Sequence, residues 1–267
     1  MGSFSGILYK MIDRKPYGGT PVLQKREKRK RELPIESIIA LILLLTLILS
    51  LIFSIIRFFT APETLPDGAP YRKIKSDYLL MITQCLLGIA VMTLPTFINH
   101  RWKLMLPGVM CILYYIFLYC AVFLGEIFSF YYKIPHWDSM LHAMSGAMLG
   151  ALGFIIVDRL NRDPKVKLSM SPIFVSLFAF SFALSIGALW EIYEFSFDFL
   201  LGLNMQKFKK ESGAPLIGQY ALADTMKDLI IDAVSAASVA VIGYLTSIKD
   251  KKTRKDDQDE LYHGQQE

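Results

Sequence analysis

The sequence predicts an all-α, polytopic membrane protein: a bundle of six transmembrane helices with a disordered, basic N-terminal tail and a charged C-terminal tail. Three observations carry this expectation. Of the 267 residues, 53% are hydrophobic, and mean hydropathy is positive. The apolar residues come in blocks of about 20, the length a helix needs to cross a ~30 Å hydrocarbon core. Lys and Arg gather between blocks and in the tails, as they do where cytoplasmic charge sets orientation.

Taken in order, residues 1–33 form a polar tail with little to bury, ending in the basic block "KREKRKRE" from Lys25 to Glu32. Such a block suits anionic headgroups beside a first span. Nucleic acid is not the expected partner; the lipid bilayer is. Residues 34–249 make the transmembrane domain, and 250–267 a second charged tail. The expected spans are 36–57, 78–98, 104–125, 137–157, 172–192 and 226–248. The apolar run Ile38–Ile56 is longer than a signal-peptide core, so the first span is expected to stay uncleaved. Trp102, Trp137 and Trp190 fall at expected span ends, where amphipathic rings sit at the headgroup level. Pro95 and Pro107 also fall near ends, where a missing backbone donor costs least. Cys85, Cys111 and Cys120 lie inside apolar runs with no CxxC pair, which argues against a disulfide framework or a structural zinc site.

Charge sets direction. The N-terminal block, Arg101 and Lys103, the loop with Arg159, Arg162, Lys165 and Lys167, and the tail "KDKKTRK" share one side by span parity. The positive-inside rule makes that side cytoplasmic and places both termini there, in a multi-pass protein of the cell membrane. Residues 60–77 and 202–223 are then the two long outer loops. They also carry Arg72, Lys73, Lys75, Lys207, Lys209 and Lys210, which narrows the charge contrast.

The polar residues converge on the outer side. "IPHWDSMLHAMSGAMLG", Ile134–Gly150, opens the fourth span with His136, Asp138 and His142. Asp138 and His142 are four residues apart and stack on one helix face, and Gly146 and Gly150 continue that row, where a neighbouring helix can approach closely. The fifth span ends in "WEIYEFSFD", with Glu191, Glu194 and Asp198. The sixth opens with "DTMKDLIID", with Asp224, Asp228 and Asp232. Glu126 ends the third. The run from Asp232 to Ile248 is about 25 Å of helix at ~1.5 Å per residue, short of a full span. Asp232 therefore lies below the interface, with Asp228 near it. An acid facing lipid is costly, so these groups should face inward. Glu126, Asp198 and Asp224 also read as rim acids, and His136 as a turn residue after Pro135. His100 and His263 fall on the other side and read as surface residues.

Clustered acids do not all ionise without compensation. Lys227 is the only nearby cation the sequence offers, and it points off the stripe. The remaining compensations are raised pKa values, a water-filled vestibule or a bound metal. Carboxylate with imidazole suits Mg²⁺, Mn²⁺ or Zn²⁺. The expected metal ligands are Asp138, His142, Glu191, Asp228 and Asp232. The expected catalytic carboxylates are Glu194, Asp228 and Asp232, with Glu194 as general base. No GxSxG, HExxH or Gly-rich phosphate loop occurs in the sequence.

"GEIFSFYYKIPHWDSMLHAMSGAMLG", "ALWEIYEFSFD" and "DTMKDLIIDAVSA" together resemble the uncharacterised YjdF-like bacterial membrane proteins, across about residues 104–245. A weaker likeness is to VanZ-like membrane proteins, through Asp138/His142 and the pairs Asp224/Asp228 or Asp228/Asp232. The Asn of their last block has no obvious counterpart here. The VanZ likeness implies a cell-envelope setting. The leading expectation is a metal-dependent hydrolase or transferase acting on a lipid or cell-envelope precursor. A transporter or ion-handling protein is the first alternative, and a structural or assembly factor the second.

Overall fold

A computed structural model describes residues 34–64, 72–161, 170–210 and 213–263, with side chains as far as Lys249. The basic block before the first span, the middle of the first long loop and the loop of Arg162, Lys165 and Lys167 lie outside the described residues. Six helices are long and apolar enough to cross a membrane. Among the described residues there is no strand beyond an isolated antiparallel bridge between Lys209 and Pro215.

Helix α1 is Ile35–Thr60. The second span is broken into α2, Lys75–Val91, and α3, Leu94–Trp102, with Pro95 in the first turn of α3, where its missing N–H is tolerated. The third span starts as α4, Gly108–Leu118, with Pro107 as its N-cap, and continues as a π-helical stretch, Tyr119–Ile127. A short helix α5, Phe130–Lys133, leads to α6, Trp137–Asn161. Helix α7 is Pro172–Leu201, capped by the Ser171 hydroxyl accepting from Phe174 N at 3.4 Å and ended by Gly202 at φ +67°. Helix α8 is Gln219–His263.

Three departures from the sequence expectation stand out. Helix α7 runs on to Leu201 and α8 starts at Gln219, so Glu194, Asp198 and Asp224 lie on continuous helix. Trp190 consequently sits well inside α7, not at its end. The expected structureless tail from 250 is helical backbone as far as His263. Extending an existing helix needs no new nucleation, and the segment contains no Gly or Pro before Gly264.

Two packed groups emerge. Leu43 and Leu47 of α1, Cys85 of α2 and Tyr115, Leu118 and Val122 of the third span form one apolar core. The other is the mutual packing of α6, α7 and α8. Its seam follows buried stripes of small residues. Gly146, Gly150 and Gly153 of α6 face Ser235 and Val239 of α8 and Ala179 of α7. On α7 the stripe runs through Ser176, Ala179, Ala183 and Gly187 to Glu191. Close approach along small residues is how membrane helices gain contact. At one end of the seam these stripes give way to polar side chains.

Candidate metal centre

His142 of α6 is the centre of the polar cluster. Its Nδ1 stands 3.2 Å from Asp232 Oδ2 of α8, within hydrogen-bonding distance. Its Nε2 faces three further carboxylates: Asp138 Oδ1 at 3.8 Å, Glu191 Oε1 of α7 at 3.9 Å, and Asp228 Oδ2 at 3.9 Å. The i, i+4 spacings of Asp138/His142 and Asp228/Asp232 bring all four onto facing stripes. Asp228 and Asp232 are each 2% exposed, Glu191 5% and His142 8%. Burial of this degree for acids normally requires pairing or a ligand.

The pairing is incomplete. Both Glu191 oxygens, Asp228 Oδ1 and Asp232 Oδ1 are buried with no hydrogen-bond partner. The polar groups beside Glu191 are the Gln206 amide and the Thr225 hydroxyl, which bond to each other at 2.8 Å. One ligand atom each from Asp138, His142 and Asp228 lies within 4.8 Å of the others, a spacing that one divalent ion can span. Glu191 and Asp232 stand outside that trio.

Glycine makes the room. A Cβ on Gly187, four residues before Glu191, would strike Asp232 Oδ2, and one on Gly146 would strike Ser235 Oγ and come within 3.2 Å of the Asp232 carbonyl oxygen. Below the cluster the seam is closed by Ala151, Phe154, Ala179 and Val239. The polar cluster therefore sits at one end of the three-helix seam, with apolar packing beneath it.

The other sequence candidates take different places. Glu194 accepts from Trp190 Nε1 at 2.9 Å and is not one of the trio. Asp198 is buried and accepts from the backbone N–H of Met205 at 2.7 Å and of Gln206 at 3.0 Å. It is an anchor for the following loop and not a rim acid. Asp224 is half-buried at the mouth. His136 is an exposed turn residue at φ +61°, and His100 is exposed on α3.

Lys227 is not the only cation near the acids, as the sequence had suggested. Lys227 is exposed and lies near Asp224, whereas Lys207 lies near Asp138, Glu126 and Glu194. The strap, residues 202–210 and 213–217, folds back over the bundle, held by Asp198 and by Leu203 and Met205 packed with Leu80, Tyr193 and Phe197. Lys207 Nζ donates to Met205 O at 2.7 Å and sits 4.4 Å from the centroid of the Tyr131 ring. Burial alone lowers the pKa of this ammonium, but Asp138, Glu126 and Glu194 outweigh it and hold the group well above its ordinary value. Burial, then the charges of Asp138 and Glu126, likewise push the Tyr131 phenol well up. Sequence spacing does not link Lys207 to Asp138. The only sign was a lysine in a short loop following an acid that could cap it.

Comparison with known proteins matches this architecture at family level. An "Uncharacterized protein" of Thermotoga maritima is 32% identical over 149 residues, covering 55% of this chain and 64% of that relative. The chain thus spans somewhat under two thirds of that relative's length. No solved structure matches. Residues 37–249 match the model of a family described as "Predicted membrane protein (DUF2238)", which includes every residue of the His142 cluster, and the chain belongs to that family.

Proposed function

We propose that this protein is a metal-dependent intramembrane hydrolase or transferase, with its site in the outer leaflet and a lipid or cell-envelope precursor as substrate. The observation that carries the reading is the buried trio Asp138, His142 and Asp228 beside unpartnered oxygens of Glu191 and Asp228. Unpartnered buried carboxylate oxygens are costly, and a cation is what compensates them. Asp138, His142 and Asp228 would hold the ion. Asp232, on His142 Nδ1, fixes the ring and leaves Nε2 directed at the trio, as partners of metal-binding histidines do. A bound Mg²⁺, Mn²⁺ or Zn²⁺ supplies Lewis acidity toward a carbonyl or phosphoryl oxygen.

Glu191 is better placed than Glu194 as the general base. Its oxygens are unpartnered and Oε1 is 3.9 Å from Nε2, whereas Glu194 is engaged by Trp190. In hydrolysis, Glu191 takes a proton from the attacking water as the new oxygen bond forms. It returns that proton to the leaving oxygen as the old bond breaks. The apolar packing beneath the cluster favours chemistry at one face over passage across the bilayer. The basic loops on the opposite side support the outer placement.

Metal analysis of detergent-purified protein is the test. Wild type is expected to carry a stoichiometric divalent ion that Asp138→Ala loses. Folded wild type without metal, even after Mn²⁺ or Zn²⁺ is supplied, overturns the reading.

A further inference from the structure

The strap lays one side chain across the outer end of the cluster. On α7, Glu191 and Asp198 are seven residues apart and share the buried face. On α8, Thr225 and Asp228 are three apart, so Thr225 stands about one turn outside Asp228 on the same side. Gln206 joins the two helices there. Its backbone N–H donates to Asp198 Oδ2 at 3.0 Å, and its side-chain Nε2 donates to Thr225 Oγ1 at 2.8 Å. This second bond runs beside Glu191, whose own oxygens take no hydrogen bond. Exposure is layered to match. Gln206 and Thr225 are half-buried, whereas the Glu191 and Asp228 side chains are 6% and 3% exposed. The Asp138 side chain, at 21%, is the more open flank of the site. The backbone of Gln206 is firmly held. Met205 N donates to Asp198 Oδ1 at 2.7 Å, and Met205 and Leu203 are buried against Leu80. Asn204 accepts from Lys209 N at 2.9 Å and donates to Lys209 O at 2.8 Å and to Tyr132 Oη at 3.1 Å, tying the strap to α5. The Gln206 side chain has only its neutral bond to Thr225, weaker than the charge-assisted pair that pins the backbone.

We propose that Gln206 is a side-chain gate. Latched to Thr225 it shields Glu191 from the outer water, and rotated away it admits the reacting group of the substrate between the strap and α8. This rests on the reading of Glu191 as general base and deepens it, but it does not require that an ion be bound. Rotation of a half-exposed side chain is fast and leaves the pinned backbone in place. A base that is to take a proton from one chosen water works best when bulk water is kept out until the reactant arrives. Opening frees the Gln206 amide N–H and the Thr225 hydroxyl at one spot, two donors suited to a carbonyl or phosphoryl oxygen. The open flank at Asp138 gives an ion a route to the trio that does not pass the gate.

Thiol accessibility in the full-length, detergent-purified chain lacking Cys85, Cys111 and Cys120 tests the gate. Glu191→Cys reports from behind it and Asp138→Cys from the open flank, each modified by methyl methanethiosulfonate. When opening is fast, the modification rate follows the open fraction. Thr225→Val, which keeps the shape and removes the latch, is expected to speed modification at position 191 by about 2- to 12-fold, the effect of one neutral hydrogen bond on an equilibrium. Gln206→Ala, which removes the gate, is expected to speed it at least as much, with no further gain when Thr225→Val is added, because the bond is already gone. The rate at position 138 should not change, and the Met205 and Gln206 amides should keep their slow hydrogen exchange in Thr225→Val. An unchanged rate at position 191 in both variants overturns the gate. So does an equal acceleration at position 138, which would mean general loosening, or lost protection at Met205 and Gln206, which would mean that the whole strap lifts. Asp228→Cys replaces Glu191→Cys as the reporter if the latter does not fold. The metal analysis above is a separate measurement, so loss of the metal reading and loss of the gate are distinct results.

Discussion

His142 and Asp232 decide what the cluster is, because their 3.2 Å contact sets which ring nitrogen faces the remaining acids. Asp232→Asn keeps the shape and removes the charge. It is expected to weaken Mn²⁺ binding by about 10- to 100-fold, the usual effect of losing a carboxylate behind a metal-binding histidine. Isothermal titration checks it, with unchanged thermal unfolding as the control. Gly187→Ala tests the space Asp232 occupies. The new methyl would strike Oδ2, so a loss of about 1–3 kcal/mol in stability is expected, the range for overpacking a filled site. Metal affinity should fall with it. Asp138, His142, Asp228 and Asp232 were legible from i, i+4 spacing because a helix places such residues on one face. Gly187 and Lys207 were not. The first matters only through a neighbouring helix, and the second lies on a loop whose path no helical period describes.

At the scale of elements, the strap and the small-residue seam do different work. Asp198 caps the strap through two backbone N–H groups, and such charge-assisted bonds are worth about 1.5–3 kcal/mol together with their burial. Asp198→Ala is expected to free residues 202–210, seen as faster hydrogen exchange at Met205 and Gln206 and earlier proteolysis in that segment, with α6–α8 amides unaffected. The seam responds otherwise. Gly153 meets the Ala179 backbone of α7, with the nearest atom 2.7 Å from an added Cβ. Gly153→Leu should therefore force α6 from α7 and lower the unfolding temperature without touching a polar group. Six spans were legible because apolar blocks of membrane length leave few alternatives. Their ends were not, because acids at the site end prolong α7 and α8 beyond the apolar window while their polar face is covered by the strap.

For the whole molecule, function depends on which way the bundle faces. The proposed orientation puts both tails in the cytoplasm and the His142 cluster outside. Cysteines placed at position 20 and at position 265 of a chain lacking Cys85, Cys111 and Cys120 should be labelled by a membrane-impermeant maleimide only after permeabilisation. A cysteine at Gly213, on the strap, should be labelled without it. The reverse pattern would move the site to the cytoplasmic leaflet and with it the class of substrate, although not the convergence of the helices. Span parity alone brings the ends of α6, α7 and α8 together, which is why the shared pocket was readable from one sequence. The chemistry there was not, since the orphaned oxygens of Glu191 and the apolar packing of Phe154 against Val239 exist only in three dimensions. The central claim is that these side chains enclose one cation, and an anomalous difference map from Mn²⁺-loaded crystals tests it most directly. The account predicts a single peak between Asp138, His142 and Asp228, with Asp232 behind the imidazole. A map with no peak there, in crystals whose mother liquor holds saturating Mn²⁺, would contradict it.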